Sequence, residues 1–446
     1  MAKQRLVVLG GGESGVGSAV LGKVKGLDVF LSDSGQIKPD FKKTLEQFDI
    51  PFEECGHTKS AILNADEVVK SPGIPEDNPL VLLIKENRIP IISEIEFAGR
   101  YDTAKKICIT GSNGKTTTTS LIYYMLKNAG LNVGLAGNIG KSYAYQVATE
   151  KFDYYVIELS SFQLDGMYKF KADIAILMNI TPDHLDRYEF KMQNYVNAKF
   201  RITQNLTKKE CFVFCSDDPI TAKELDKIVL TAKKLPFTQK EKVEQGAFID
   251  EDKLYVRYED DEYSMYMKEL ALPGKHNLYN QMAAAIAAKV VDIDNKVIRE
   301  SLMSFQGVEH RLEKVLTVKG VLYVNDSKAT NVDAAWYALD SMTTPVVWIA
   351  GGKDKGNDYS QLYDLVKNKV RVLICMGLHN EKLHQCFADK VDKIIDVTSA
   401  KDAVSVAYKY AKPGDTVLLS PCCASFDLFK NYEDRGEQFK QAVKEL

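Results

Sequence analysis

A strand, a loop of glycine, lysine and threonine, and an apolar helix are predicted in succession for residues 109–126, ITGSNGKTTTTSLIYYML. Successive backbone N–H groups around Gly111–Lys115, together with the helix N-terminus, would face a phosphate anion. Lys115 would reach the terminal phosphates, and the Thr116 hydroxyl would stand where a Mg²⁺ ligand belongs. The pattern GxxxxGK[ST] is incomplete, because Ile109 occupies its first glycine position. The strand before the loop and the helix after it still predict a triphosphate-binding site.

A second glycine-rich loop, GGGESGVG, follows the first predicted strand and fits G-x-G-x-x-G at Gly10, Gly12 and Gly15. A helix is predicted after Gly15. Asp33 ends the next strand at the spacing of an acid that contacts a sugar or base. One chain is therefore predicted to hold two phosphorylated ligands. A nicotinamide-dependent oxidoreductase is a rival interpretation of this loop, but it leaves residues 109–126 unexplained.

Three more side chains that could do chemistry follow apolar segments near the triphosphate loop. Glu158 ends the strand YYVIE, where a carboxylate is a natural Mg²⁺ ligand. His184 lies in the loop TPDHLDRY after the next strand, and we interpret it as functional. Lys199 lies on an apolar helix face. It either extends its ammonium to solvent or, desolvated beside cations, has a lowered pKa and a reactive amine, and the sequence leaves both open.

Polar clusters follow three predicted strands in the last third of the chain: NDSKATN, AGGKDKGND and SPCCASFDLFKNY. They supply Lys328, Thr330, Lys355 and Ser425, which are cations and hydroxyls suited to an anionic small substrate such as a dicarboxylate. Each cluster alone is typical of turns. Three at one edge of a sheet predict a binding site.

These residues are positioned by strands and helices that alternate along the 446-residue chain. The pattern predicts an α/β fold of three domains, each built on a mostly parallel sheet. We expect a Rossmann-like domain in residues 1–93, a central domain with the triphosphate loop in residues 94–306, and a Rossmann-like domain in residues 307–446. Charged segments around residues 220–265 predict a peripheral antiparallel region.

Composition narrows the class of protein. The net charge of −3 argues against a nucleic-acid-binding protein. No apolar run approaches the length that spans a bilayer, and no leader segment is evident, so we expect no membrane partner. The eight cysteines lack framework spacing, which predicts reduced thiols in a cytoplasmic protein and argues against a zinc site. No apolar interaction segment stands out, and we expect a monomer.

The order of these motifs resembles the Mur ligase family over essentially the whole chain. The resemblance rests on the motifs GSNGKTTT, ELSSFQL, TPDHLDRY, GKHNLYNQMAA, GVEHRLE and NDSKATN. Sister ligases with other substrates carry a different, histidine-containing stretch in place of NDSKATN, so the resemblance points to the member that adds D-glutamate. It implies an ATP-dependent ligase of peptidoglycan precursor synthesis that joins D-glutamate to UDP-N-acetylmuramoyl-L-alanine through an acyl phosphate. The alternative is a ligase of the same superfamily with a different amino-acid acceptor.

The resemblance also implies roles for individual residues, which fall into four sets. The UDP-sugar contacts would be Glu13, Ser14, Gly15, Val16, Asp33, Ser34, Ser71, Pro72, Gly73 and Asn138. The ATP contacts would be Gly111, Ser112, Asn113, Gly114, Lys115, Thr116, Thr117, Asn277, Asn280, Arg311 and Asp326. The D-glutamate contacts would be Lys328, Thr330, Lys355, Ser425 and Tyr432, the last standing where the family has phenylalanine. Lys115, Glu158, His184 and Lys199 would be catalytic, and two Mg²⁺ ions would be held by Thr116, Glu158, His184 and Lys199, the lysine being carbamylated by CO₂.

Overall fold

The structure, a computed structural model, describes residues 3–446, which form three β-sheets with helices packed on them. The chain divides into two compact units. Unit 1 contains the residues up to Ala271 together with Tyr279–Phe305. Unit 2 contains Leu272–Leu278 and Gln306–Leu446.

The first sheet of unit 1 has five parallel strands in the order β3-β2-β1-β4-β5. The two neighbouring strands Arg5–Leu9 and Glu67–Lys70 are buried on both faces, as the apolar segment RLVVL predicts for a parallel sheet. The first helix begins at Glu13, three residues before Val16, the start expected from the sequence. The elements are β1 Arg5–Leu9, α1 Glu13–Val24, β2 Asp28–Ser32, α2 Pro39–Gln47, β3 Phe52–Glu53, α3 Lys59–Ile62, β4 Glu67–Lys70, α4 Pro79–Glu86, β5 Ile91–Ile92 and α5 Glu94–Gly99.

The second sheet of unit 1 has nine strands in the order β14-β13-β12-β11-β10-β9-β6-β8-β7. Its elements are β6 Lys105–Thr110, α6 Lys115–Asn128, β7 Val133–Gly137, α7 Tyr143–Thr149, β8 Tyr154–Glu158, α8 Ser161–Asp165, β9 Ile174–Leu177, α9 Met192–Phe200, β10 Cys211–Cys215, α10 Pro219–Leu225, β11 Lys233–Thr238, β12 Gly246–Asp250, β13 Lys253–Tyr258, β14 Asp261–Tyr266, α11 Lys275–Val290 and α12 Asn295–Ser304. Short 3₁₀ helices cover Leu185–Tyr188, Arg201–Thr203 and Met267–Glu269.

The antiparallel region predicted for residues 220–265 is smaller than expected. Strands β12, β13 and β14 pair antiparallel, but β11 pairs parallel with both β10 and β12. Only the last three strands are joined by short turns, and a short turn allows only antiparallel pairing. The residues between β10 and β11, which include α10, provide the crossover that a parallel pair needs.

Unit 2 contains a six-stranded sheet in the order β15-β16-β20-β17-β18-β19, in which only β15 runs antiparallel. The elements are β15 Glu313–Val318, β16 Val321–Asn325, α13 Val332–Ser341, β17 Val346–Gly351, α14 Tyr363–Lys369, β18 Val370–Met376, α15 Glu381–Phe387, β19 Lys393–Val397, α16 Ala400–Tyr410, β20 Thr416–Cys422 and α17 Tyr432–Lys444, with a 3₁₀ helix at Ser360–Leu362. No helix among residues 3–446 is long and apolar enough to cross a bilayer.

Strand register decides which side chains can meet. In unit 1, β6 lies between β8 and β9, and Ile109 pairs with Glu158 while Thr110 pairs with Leu177. The three parallel strands therefore end at one edge of the sheet, where ligands of α/β proteins bind.

Candidate active site

The triphosphate loop predicted from GSNGKTTT joins β6 to α6 in unit 1. Gly114 occupies the N-cap position of α6 with a left-handed φ of 85°, and a Cβ there would lie 2.4 Å from Asn280 Oδ1. No side chain caps the helix at Gly114. Lys115 Nζ donates to the carbonyl oxygens of Gly111 and Ser112, each at 2.8 Å. The loop thus presents a lysine and an open helix N-terminus to an anion.

Asn179, at the end of the neighbouring strand segment, shapes this loop. Its Oδ1 accepts from the Asn113 N–H at 2.8 Å, and its Nδ2 donates to the Asn113 carbonyl at 3.1 Å. Its own carbonyl accepts from the Ser112 N–H at 2.9 Å. These three bonds hold the tip of the loop against the next strand, so its conformation is set before a ligand binds.

Glu158 is fully buried at the end of β8. One carboxylate oxygen, Oε1, accepts from Asn138 Nδ2 at 2.8 Å. The other, Oε2, is buried without a hydrogen-bond partner among the described residues. A buried carboxylate oxygen without a partner is costly, and a cation beside it would remove that cost.

Lys199 is 2% exposed on α9, so the alternative in which its ammonium extends to solvent is wrong. Its Nζ donates to the Gly111 carbonyl at 2.8 Å and to Thr110 Oγ1 at 3.3 Å, and it lies 5.2 Å from the Tyr195 ring centroid. Burial, followed by the nearby Lys115 ammonium, lowers the pKa of Lys199 well below its usual value. A lowered pKa favours the neutral amine, which is the form that reacts with CO₂.

His184 stands at the start of the 3₁₀ helix Leu185–Tyr188 with a left-handed φ of 51°. Its ring packs edge-on against Phe162, with 5.1 Å between centroids, and its Nε2 lies 3.6 Å from Asp183 Oδ2. Asp183 Oδ1 accepts from the backbone N–H of His184 at 2.9 Å. A partly exposed imidazole with a carboxylate partner is able to bind a metal ion.

The residues predicted to bind Mg²⁺ offer a donor set that fits this ion. Mg²⁺ prefers oxygen ligands, and Glu158 Oε2 is an oxygen that lacks a partner within residues 3–446. The hydroxyl of Thr117 is likewise buried and unpartnered in that part of the chain, and the neighbouring Thr116 is buried. A carbamylated Lys199 would add a further oxygen donor at the same edge of the sheet.

The loop GGGESGVG joins β1 to α1, and its predicted contacts cluster there. No side chain caps α1 at Gly12, so the N-terminus of this 12-residue helix is open to an anion. Ser71 follows β4 and donates its N–H to the Leu9 carbonyl at 2.9 Å, which places it beside the loop. Its Oγ is buried and finds no hydrogen-bond partner among the residues described. A phosphate at this helix end would supply an acceptor.

Other predicted UDP-sugar contacts have protein partners of their own. Asp33 accepts from the backbone N–H groups of Gly11 and Gly35, the latter at 2.7 Å. The carboxylate of Glu13 accepts from the Ser142 N–H at 3.1 Å. The remaining members are Ser14, Gly15 and Val16 in the first turn of α1, exposed Ser34 after β2, and Pro72 and Gly73 after Ser71.

The clusters in unit 2 follow β16, β17 and β20, which are neighbours in the sheet and parallel. Lys328 Nζ donates to the Tyr432 hydroxyl at 3.2 Å and lies 5.0 Å from the centre of that ring. Lys353 N–H donates to the Ala424 carbonyl at 2.8 Å, which pairs the segment before Lys355 with the segment before Ser425. The structure therefore brings the three predicted clusters to one edge, with Thr330 two residues beyond Lys328.

Arg311 and Asp326, predicted for ATP, lie together in unit 2. Asp326 is fully buried, accepting from the Leu312 N–H at 3.2 Å and from the Ser420 hydroxyl at 2.9 Å. Burial raises the pKa of Asp326 to about 6, although the positive charge of Arg311 opposes the shift. Arg311 Nε is a buried donor with no acceptor among residues 3–446.

Asn277 and Asn280, the two asparagines of the motif GKHNLYNQMAA, belong to different units. Asn280, in unit 1, accepts from the Thr118 hydroxyl at 3.3 Å and is the residue that crowds the Gly114 position. Asn277, in unit 2, donates to the Pro273 carbonyl at 2.8 Å. Both side chains are buried.

Comparison with known proteins agrees with this geometry. Three family models match the sequence: the MurD N-terminal domain over residues 6–79, the Mur ligase middle domain over residues 109–288, and the Mur ligase glutamate ligase domain over residues 310–423. A UDP-N-acetylmuramoylalanine–D-glutamate ligase of Bacteroides fragilis is 61% identical over 444 residues, which cover 99% of this chain and all of the relative. The chain belongs to the Mur ligase family.

More distant Mur ligases extend the comparison. A relative of the same name from Salinibacter ruber is 41% identical over 454 residues, covering 100% of this chain and 98% of the relative. The crystal structure of the UDP-N-acetylmuramate–alanine ligase MurC from Thermotoga maritima has a TM-score of 0.63 at 18% identity, with 99% of each chain covered. MurF from the same organism, in complex with ADP, has a TM-score of 0.61 at 16% identity, with 94% and 95% covered. These structures confirm the predicted three-domain α/β class.

Sequence analysis missed residues that shape this Mur ligase site without belonging to a motif pattern. Asn179 was detectable, since it follows a buried strand at the edge where ligands bind. Arg435 was not: it is 1% exposed on α17 and donates to the carbonyls of Ser327 and Cys423. The predicted UDP-sugar, ATP and D-glutamate roles stay predictions.

Proposed function

We propose that this chain is an ATP-dependent ligase that adds D-glutamate to UDP-N-acetylmuramoyl-L-alanine, releasing ADP and phosphate, in the synthesis of peptidoglycan precursors. The observation that carries the proposal is the glycine-rich loop between β6 and α6, beside which Glu158 Oε2 lacks a partner among the described residues. The proposal is also supported by the 61% identity of the chain to the UDP-N-acetylmuramoylalanine–D-glutamate ligase of Bacteroides fragilis. A triphosphate loop beside a buried carboxylate is the arrangement that phosphoryl transfer requires.

The chemistry explains why a nucleotide-sugar enzyme needs a second phosphate-binding loop. A carboxylate is a poor acyl donor, because its oxygen is a poor leaving group. In the first step, the alanine carboxylate of the UDP sugar attacks the γ-phosphorus of ATP, the bond to ADP breaks, and an acyl phosphate forms. In the second step, the amine of D-glutamate attacks the acyl carbon, phosphate leaves, and the nitrogen loses a proton as the amide forms.

Residues of unit 1 serve the first step. The Lys115 ammonium and the open N-terminus of α6 offset the negative charge that spreads over the transferred phosphoryl group. Asn138 orients Glu158 through its hydrogen bond to Oε1, and it would also contact the muramoyl sugar. Mg²⁺, held by Thr116, Glu158, His184 and carbamylated Lys199, would supply further positive charge for the same purpose.

Residues of unit 2 serve the second step. D-glutamate carries two carboxylates, and Lys328 and Lys355 provide two cations at the edge where β16 and β17 end. Thr330 and Ser425 provide hydroxyl groups at the same edge. The Tyr432 hydroxyl, which the phenylalanine of other family members lacks, holds Lys328.

The first test is phosphate release by the purified protein with ATP, Mg²⁺ and UDP-N-acetylmuramoyl-L-alanine. We expect release to require D-glutamate and to be absent with L-glutamate. Release with another amino acid in place of D-glutamate would overturn the assigned acceptor. No release with any acceptor would overturn the ligase assignment.

Lys115→Ala tests the role of the loop. We expect phosphate release to fall by about a thousandfold or more, since a preorganised cation opposite the transferred phosphoryl group has effects of this size. Thermal unfolding should be little changed. The control is Lys127→Ala at the far end of α6, which should release phosphate at the wild-type rate. Near-wild-type release by Lys115→Ala contradicts the proposal.

A further inference from the structure

Glu94, the first residue of α5, is a buried carboxyl group outside every set of predicted contacts, with 2% of its surface exposed. Its Oε1 accepts from the Ser142 hydroxyl and from the Ala144 N–H, the latter at 3.1 Å. Ser142 is the N-cap of α7 and its Oγ accepts from the Tyr145 N–H at 3.0 Å. Glu94 therefore completes the capping of α7 from a different helix.

The same Ser142 also contacts α1. Its N–H donates to Glu13 Oε1 at 3.1 Å. A Cβ at Gly17, one turn further along α1, would lie 1.9 Å from Ser142 Oγ, so the two helices approach too closely there for any other residue. Three helices of unit 1, α1, α5 and α7, thus meet at one serine.

The meeting point of Glu13, Glu94 and Ser142, here called the junction, joins two loops, GGGESGVG and GNIGKS, that the proposed function assigns to one ligand. Glu13 opens the helix that follows GGGESGVG, and Ser142 lies four residues after Asn138 in the segment GNIGKS. The first loop is predicted to bind the uridine diphosphate and the second the muramoyl sugar. We propose that Glu94 is a positioning residue which, as the neutral acid, holds these two loops in register for UDP-N-acetylmuramoyl-L-alanine. The inference rests on the proposed function and adds to it the dependence of substrate binding on one proton.

The surroundings of Glu94 favour the neutral acid. Its Oε2 is buried and has no hydrogen-bond partner within the described chain. On α1 the charged group that faces it is the Glu13 carboxylate, and α7 offers only the Ser142 hydroxyl and backbone N–H groups. On α5 itself, Glu96 accepts from the N–H groups of Tyr168, Lys169 and Phe170, and Arg100 binds Glu67.

Burial raises the pKa of Glu94 to about 7; the hydrogen bonds from Ser142 and Ala144 oppose this rise, and the Glu13 carboxylate adds to it. Below that pH the acid is neutral, and α1, α5 and α7 stay in contact at Ser142. Above it, the Glu94 carboxylate, whose Oε2 is buried without a partner among the described residues, would face the Glu13 carboxylate near Ser142, and this repulsion would weaken the common support of the two loops. An anionic ligand on those loops favours the neutral acid further, so binding at pH above 7 should take up a proton.

The test is calorimetric titration of the protein with UDP-N-acetylmuramoyl-L-alanine, without ATP, between pH 6 and pH 8.5. For the wild type we expect Kd to rise by about thirtyfold across this range, because the fraction of neutral acid falls by about tenfold for each pH unit above a pKa near 7. Glu94→Gln keeps an acceptor for Ser142 but cannot ionise. Its Kd should stay within about twofold of the low-pH wild-type value. The matched control is Glu86→Gln, an exposed glutamate at the end of α4, which should show the wild-type profile.

A second measurement needs no variant. Titrations of the wild type at pH 7.5 in buffers of different ionisation enthalpy should show net proton uptake on binding. The inference is overturned if Glu94→Gln retains the wild-type pH slope, or if the wild type takes up no proton. Failure of the wild type to bind the UDP sugar at any pH would overturn the proposed function as well, so the two failures are distinguishable.

Discussion

At the scale of single residues, some of the buried polar atoms without partners belong to predicted ligand contacts, although others, such as Ser216 Oγ and Tyr323 Oη, do not. Glu158 Oε2, Ser71 Oγ and Arg311 Nε all lack a hydrogen-bond partner within residues 3–446. Each such atom costs about 1–3 kcal/mol of folding free energy. They belong to the predicted Mg²⁺, UDP-sugar and ATP contacts, respectively. A cation beside Glu158, an acceptor beside Ser71 and an anion beside Arg311 would each remove that cost, which is the physical sense in which these positions favour ligands.

Lys199 provides the residue-scale prediction. If its carbamate carries the charge that the site needs, Lys199→Ala should release phosphate at least a hundredfold more slowly than the wild type, by the measure of other electrostatic contacts in phosphoryl transfer. Added acetate or formate should restore part of the rate, because a small carboxylate can occupy the space that the side chain leaves. The measurement is phosphate release with and without acetate or formate at about 100 mM, with the ionic strength kept constant.

Lys191→Ala is the control for that experiment, since Lys191 is exposed just before the same helix. It should keep the wild-type rate and show no response to acetate. Full inactivity of Lys199→Ala at every carboxylate concentration, with an unchanged melting temperature, counts against the carbamate.

At the scale of elements, α17 is fastened to the segment GVEHRLE by one buried lysine. Lys440 contacts the carboxylates of Glu309, Glu313 and Glu437, the last two at 3.4 and 2.7 Å, and is 8% exposed. Glu313 opens β15. Lys440 therefore links the C-terminal helix of unit 2 to the edge strand of its sheet and to the segment that contains Arg311.

Replacing this lysine by an apolar residue of similar length leaves three carboxylates together without their cation. We expect Lys440→Met to lower the free energy of unfolding of unit 2 by about 2 kcal/mol, less than for a fully buried pair because Glu309 and Glu437 are half exposed. Chemical denaturation at neutral pH measures the loss. Lys444→Met, on an exposed position of the same helix, should change stability by less than about 0.5 kcal/mol. Equal effects in the two variants would show that the cluster contributes nothing specific.

At the scale of the whole molecule, the predicted substrates divide between the two units. Every predicted UDP-sugar contact lies in unit 1, and every predicted D-glutamate contact lies in unit 2. Two compact units commonly unfold in separate transitions. A ligand stabilises only the unit that binds it.

Scanning calorimetry tests this division. At a concentration of about 100 times its Kd, UDP-N-acetylmuramoyl-L-alanine should add about 2.7 kcal/mol to the stability of one transition and leave the other unchanged. D-glutamate should shift the other transition. A single unfolding transition that both ligands shift by the same amount would contradict this division of the substrates between the two units.

Much of the candidate site could be proposed from the sequence, because its parts are contiguous along the chain. A phosphate-binding loop uses successive backbone N–H groups, so GSNGKTTT and GGGESGVG are recognisable as short contiguous sequence motifs. The carboxyl-end positions of Glu158, Lys328 and Ser425 followed from strand patterns. The partners of Asn179, Glu94 and Arg435 were not predictable, since they lie 66, 48 and 108 residues away along the chain. A contact between such distant residues leaves no periodic signal in sequence.

By itself, the sequence determined the α/β class, the two glycine-rich loops and the polar ends of the strands, because each depends on residues within one strand–loop–helix segment. It left open whether Lys199 is a solvated ammonium or a desolvated amine, and it did not single out Glu94 at all. Tertiary structure decided both. Burial depends on which elements pack around a side chain, and those elements come from separate parts of the chain.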